Sequence, residues 1–138
     1  MRIFNLPLSP VVKFSTALGA VLLVATIAAP QARSEGLAGS WSGGGTVVFS
    51  DGHRERASCR AHYSGGGSSV SLSARCATPS GAVDQSASLR KTGPNSYSGS
   101  FFNPQYGISG SIHVSVHGNT QNVSLRSGSG SANLTLRH

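Results

Sequence analysis

The chain has 138 residues, with 11 Lys and Arg against 4 Asp and Glu, a net charge of +7 with histidines neutral, and 18 glycines. That length holds one domain with one modest core. Four acids and two cysteines are a poor supply for paired-carboxylate glycoside chemistry or for a clustered metal centre.

The first segment reads as an export address. Arg2 and Lys13 give a positive start, residues 17–29 form an apolar run, and Pro30 ends it. Ala32-Arg33-Ser34 puts small residues at the −3 and −1 positions of a cleavage before Glu35, with cleavage before Arg33 as the alternative. Residues 1–34 are therefore expected to be a signal peptide and residues 35–138 a single mature domain. The apolar run is short for a bilayer core of roughly 30 Å, and no stop-transfer pattern follows it. The mature chain is expected in the periplasm or secreted, with no membrane span. It keeps Arg54, Arg56, Arg60, Arg75, Arg90, Lys91, Arg126 and Arg137 against Glu35, Asp51, Glu55 and Asp84, a net charge of +4. A mild positive charge suits an anionic envelope partner such as a polysaccharide or lipopolysaccharide. Nucleic acid is not expected, because no basic-aromatic stacking run is present.

From residue 40 onward, apolar and polar residues alternate with period two, and Gly, Pro, Asn or Asp clusters interrupt every ten residues or so. This pattern predicts antiparallel strands over 40–50, 54–63, 69–77, 82–91, 96–102, 108–116, 120–127 and 132–137. Parity sets the faces. In the second strand Ala57, Cys59, Ala61 and Tyr63 point inward and Arg54, Arg56, Arg60 and His62 outward. Val70, Leu72, Ala74 and Cys76 point inward in the third, as do Ile112, Val114 and Val116 in the sixth and Ala132, Leu134 and Leu136 in the eighth. A hairpin around Gly65-Gly66-Gly67 sets Cys59 directly opposite Cys76, close enough to bridge. An oxidising compartment favours that disulfide, and closing such a loop contributes roughly 3 kcal/mol.

The first hairpin admits two registers. A two-residue Asp51-Gly52 turn would push Arg54 and Arg56 inside. A three-residue turn with Gly52 left-handed pairs Phe49 with His53 and Val47 with Glu55, and keeps Trp41 and Cys59 on one face. The second register is preferred, and it leaves Glu55 inward near one mouth, an acid in need of a partner. Eight short strands joined in chain order predict an all-β, antiparallel up-and-down barrel, closed so that no edge is bare; a β-sandwich is the alternative.

Gly39-Ser40-Trp41 together with Arg137 resembles the calycin group of lipocalin- and avidin-like barrels. The resemblance implies that Trp41 plugs one end of the barrel beneath Arg137. Separately, Trp41-Ser42-Gly43-Gly44-Gly45, Cys59-Arg60-Ala61-His62-Tyr63 and Arg75-Cys76-Ala77 are similar to a group of small exported α-proteobacterial proteins of unassigned function. That likeness implies a domain standing alone in the cell envelope and brings no activity with it.

Catalytic groups are hard to assemble. His113 and His117 are four apart on an outer strand face, roughly 13 Å, too far to share a metal. His53 near Glu55 gives two ligands, which is not a site. The serines lack a base with an orienting acid, and no nucleophile elbow is present. No enzyme activity, metal or cofactor is expected. Two surfaces remain. Arg54, Arg56, Arg60 and His62 form an exposed basic stripe that could hold an anion. Phe101, Phe102 and Tyr106, beside Asn103-Pro104, form a candidate recognition rim. The small inward residues Ala57, Ala61, Ala74, Ala87 and Ala132 leave room inside the barrel. The expected function is an exported binding module for a small apolar ligand or an envelope partner, inhibitor-like in one version. A structural or stress-related envelope protein without a discrete ligand is the alternative.

Overall fold

A computed structural model describes Gly19 and residues 36–138. The export segment and its cleavage site fall outside the described residues. The domain is built of eight strands: β1 (Gly39–Phe49), β2 (Arg54–Gly66), β3 (Ser69–Thr78), β4 (Gly81–Gly93), β5 (Ser96–Asn103), β6 (Ile108–His117), β7 (Thr120–Ser127) and β8 (Gly130–Arg137). Each pairs antiparallel with the next, and β1 also pairs β8, from Ser42 opposite Arg137 to Phe49 opposite Gly130. This last ladder decides the architecture. A sandwich would leave edge strands with unpaired amides and carbonyls, whereas here every strand has two neighbours.

The alternation seen in the sequence becomes the wall of the barrel. β2 runs exposed–buried from Arg54 to Tyr63 without a slip. The first hairpin takes the three-residue turn: Val47 pairs Glu55, the Phe49 amide donates to the His53 carbonyl at 2.8 Å, and Gly52 has φ +88°. A β-branched or bulky residue would be strained there. Cys59 and Cys76 are direct cross-strand partners with Cα atoms 4.1 Å apart, and they form the disulfide.

Closing eight short strands into a narrow barrel demands sharp coiling, and glycines on the inner face allow it. Gly45 pairs Ala57 and Leu134, and Gly99 pairs Leu89 and Ile112. A Cβ on Gly45 would fall 1.9 Å from the Asn133 carbonyl oxygen, and one on Gly99 would fall 1.8 Å from that of Ser88. Only a missing side chain lets neighbouring backbones approach so closely.

The two ends of the barrel differ. At the end where β1 begins, large side chains fill the interior: Trp41, Tyr63, Leu89, Tyr97, Val114 and Leu136 are each at most 3% exposed. Leu37 from the segment before β1 caps them, and its carbonyl accepts the Trp41 indole N–H at 2.9 Å. Tyr63 donates its phenol to Gln121 Oε1 at 2.7 Å within this plug. Trp41 is thus inward and seals the end, and Arg137, expected above it, stands on the outer wall. Leu136 faces inward, so the next residue must face outward, and Arg137 is exposed on the outer wall opposite Ser42. His138, one position further, packs its ring against Trp41 at a tilt of 36°, with ring centroids 4.2 Å apart.

Candidate functional site

The opposite end, carrying the β1–β2, β3–β4, β5–β6 and β7–β8 turns, is not filled. A cavity of about 610 Å³ enters the barrel there and reaches down to the disulfide. Its origin lies in the inward residues of each strand's mouth half. Ala57 on β2 and Ala132 on β8 are small, and Val47, Val83 and Ile108 stop short of the axis. Cys59–Cys76, Phe101 and Leu134 close it below. The cavity is therefore a change of side-chain bulk along strands of unchanged parity.

Polar groups gather at the mouth. Glu55, inward at the start of β2, is buried and accepts hydrogen bonds from the Ser80 amide at 2.9 Å and the Ser80 hydroxyl at 2.6 Å. His53 Nε2 lies 3.2 Å from its Oε2. These bonds, led by the Ser80 hydroxyl, hold the Glu55 carboxyl below the usual carboxylate range against the opposing effect of desolvation. Asp51 turns the β1–β2 loop by accepting the His53 amide at 2.8 Å. Across the opening, Asn103 spends its Oδ1 on the amides of Gln105 and Tyr106, at 3.0 and 3.3 Å. Its amide nitrogen is the group left to offer the cavity. Phe49 and Tyr106 supply aromatic surface at the rim, and Phe49 stacks on His53 with centroids 5.6 Å apart.

Chemically this arrangement holds and orients. Ser80 bonds to the Glu55 carboxylate and His53 approaches the same carboxylate at 3.2 Å, which is the wrong order for an activated serine, where the imidazole must face the hydroxyl. Lowering the carboxyl's pKa also makes it a weaker base. Among the described residues no three His, Cys, Asp or Glu side chains converge as metal ligands.

The predicted site residues divide. Arg54, Arg56, Arg60 and His62 are exposed on the outer face of β2, as parity required. Cross-strand pairing extends that face: Arg60 lies opposite both Ser42 and Arg75, and Ser42 lies opposite Arg137. Arg75 is engaged by Asp84 through contacts of 3.1 and 3.2 Å. The aromatic trio does not form one rim. Phe101 is buried against the cavity and Tyr106 is 58% exposed at its mouth, whereas Phe102 is 48% exposed on the outer wall between Ser86 and Ser109. Sequence reasoning missed Ser80, Asn103 and Phe49 as site residues. The available signal was topological: in an up-and-down barrel alternate turns share one end, so residues 50–53, 79–80 and 104–107 had to meet.

No protein-family model matches the sequence, and no curated protein matches it. Solved structures do. A redesigned β-barrel, mFAP1, bound to DFHBI, superposes with a TM-score of 0.62 at 12% identity, over 74% of this chain and 94% of that one. A second redesigned β-barrel, b11L5F_LGL, gives 0.59 at 12% identity over 74% and 90%. A de novo designed fluorescence-activating β-barrel gives 0.57 at 14% identity over 73% and 92%. At such identities the likeness is one of fold.

Proposed function

We propose that the chain is an exported, non-enzymatic binding module that takes a small apolar ligand into the mouth of its barrel. The cavity carries this reading. Its volume of about 610 Å³ falls within the roughly 300–1,000 Å³ of small-molecule sites. A protein needing only a stable shell would gain by filling that space, because each buried methylene is worth about 0.8 kcal/mol. The plugged end does so; the mouth end does not. The mFAP1 barrel is itself bound to DFHBI, which supports a comparable use of the interior here. Export to the periplasm or beyond is in keeping with the disulfide, since such bridges persist in oxidising compartments.

The test is titration of the purified chain with Nile red, a neutral dye that brightens in apolar surroundings. Saturable one-to-one binding is expected, and it should be lost in Ala132→Phe, which fills the cavity from β8. Absence of saturable binding, together with no small molecule co-purifying in native mass spectrometry, would return the protein to a purely structural role. The basic outer face supports a second reading, contact with an anionic envelope component, because Arg54, Arg56 and Arg60 stand in one exposed row on β2. Binding to an acidic polysaccharide that weakens in Arg56→Ala/Arg60→Ala and with added salt would establish it.

A further inference from the structure

Charge is segregated on this barrel. Among the described residues every Lys and Arg is exposed, and none lines the cavity. Two of the three acids of residues 36–138, Asp51 and Glu55, stand at the cavity mouth, and the third, Asp84, is engaged by Arg75 on the outer wall. The cations nearest in sequence to the mouth acids, Arg54 and Arg56, project from the outer face of β2. The domain is positive as a whole, yet fields at physiological salt decay over about 8 Å. A ligand head in the mouth therefore senses the two carboxylates and the rim more than the outer arginines.

The rim adds a second, independent observation. Tyr106 and Phe49 line the opening, and Tyr106 is 58% exposed there with no hydrophobic cover. Aromatic faces attract cations through their quadrupole, and aromatic surface combined with carboxylates is the chemistry that recognises organic ammonium groups. An anionic head would meet Glu55 and Asp51 with no Lys or Arg in the cavity lining to compensate, since the basic side chain there, His53, already faces Glu55 at 3.2 Å, and that juxtaposition costs free energy. Glu55 already accepts two hydrogen bonds from Ser80 and has His53 Nε2 at 3.2 Å, so a carboxylate that remains charged at neutral pH is held in place before any ligand arrives.

Building on the cavity reading above, we infer that the ligand class is an apolar organic cation. Its hydrocarbon portion lies against Ala57, Leu134 and the disulfide, and its ammonium head lies at Asp51, Glu55 and Tyr106. Asn103 Nδ2 is available to an acceptor atom on the same molecule. No bond forms or breaks; selection is by charge at the mouth.

The experiment is competitive displacement of Nile red by three probes with the same tail: decyltrimethylammonium, decanol and decanoate. Decyltrimethylammonium is expected to displace the dye at a concentration about fivefold below decanol, the factor of a partly exposed ion pair, with decanoate weakest. Raising the salt to about 0.5 M should narrow that ratio. Asp51→Asn, which keeps the oxygen that accepts the His53 amide, should bring the ammonium-to-alcohol ratio closer to one, as should Glu55→Gln and Tyr106→Leu. Equal displacement by the three probes, preference for decanoate, or a ratio unchanged in Asp51→Asn and Glu55→Gln would each overturn the inference while leaving the cavity reading intact. If neither Nile red nor decanol binds, the cavity reading falls and takes this inference with it.

Discussion

Gly99 offers the sharpest test of how this barrel closes. Replacing it with alanine adds one methyl group whose carbon would lie 1.8 Å from the Ser88 carbonyl oxygen, 2.8 Å from the Ser88 carbonyl carbon and 2.9 Å from the Leu89 Cα. All three are backbone atoms, so no rotamer change can relieve the clash. β4 and β5 must part by more than an ångström at this point, loosening about two ladder hydrogen bonds at roughly 1 kcal/mol each. Overpacking adds about 1–3 kcal/mol. Against this stands the entropy that alanine saves in the unfolded chain, about 0.5–1 kcal/mol. The clash wins, with a net loss of about 3 kcal/mol, or roughly 12–24 °C in Tm for a domain of this size. Gly66→Ala is the internal control, since a Cβ there meets nothing within 4 Å; it should be neutral or stabilising by up to about 1 kcal/mol. Trp41 is the sole tryptophan and is 2% exposed, so its fluorescence reports urea unfolding of all three proteins. If Gly99→Ala unfolds within about 1 kcal/mol of the parent, the close approach of β4 and β5, and the argument that inner-face glycines permit closure, are refuted.

Reduction of Cys59–Cys76, which are 17 residues apart, should cost about 3 kcal/mol through the entropy of the opened loop; a shift below about 1 kcal/mol in matched oxidised and reduced melts would contradict that account. Glu55 has a folded pKa below its unfolded value near 4.5, so the unfolded chain binds its proton first on acidification. Stability contributed by this group is complete above the unfolded pKa and is lost as pH falls through the folded one. The slope of unfolding free energy against pH below about 4.5 should be shallower in Glu55→Gln; an unchanged slope would remove Glu55 from the acid response. Finally, His138→Ala should destabilise by about 1 kcal/mol by uncovering Trp41, while Arg137→Ala should stay within about 0.5 kcal/mol. The reverse order in chemical melts followed by circular dichroism would restore the arginine as the closing partner.

Local pattern carried most of the wall. Period-two alternation placed every inward residue of β2, β3 and β8, and the Cys59–Cys76 bridge followed from parity and register alone. The same parity already put Arg137 outside, next to inward Leu136, and the structure keeps it exposed there, while the ring set against Trp41 is that of His138. The residue that completes the plug, His138, lies beyond the last strand, where period two gives no instruction. Phe102 was likewise fixed as an outward residue by its inward neighbour Phe101, which divides the aromatic rim.

What tertiary structure decided is which end stays open. A cavity is the shortfall of volume summed over eight strands at one height along the axis, and no single strand records that sum. Ala57 is followed within its own strand by Ala61 and Tyr63; only the closed barrel sets Ala57, Ala132 and Val47 around one cavity, whereas Tyr63 reaches across to Gln121 in the filled half. The partner of Glu55 was hidden for the same reason. Ser80 is 25 residues away, and it meets the carboxylate because alternate turns of a closed meander converge at one end. Sequence thus determined which face of each strand looks inward, a matter of neighbouring residues. The fold alone determined what those faces enclose, because enclosure depends on strands that meet only after the barrel has closed.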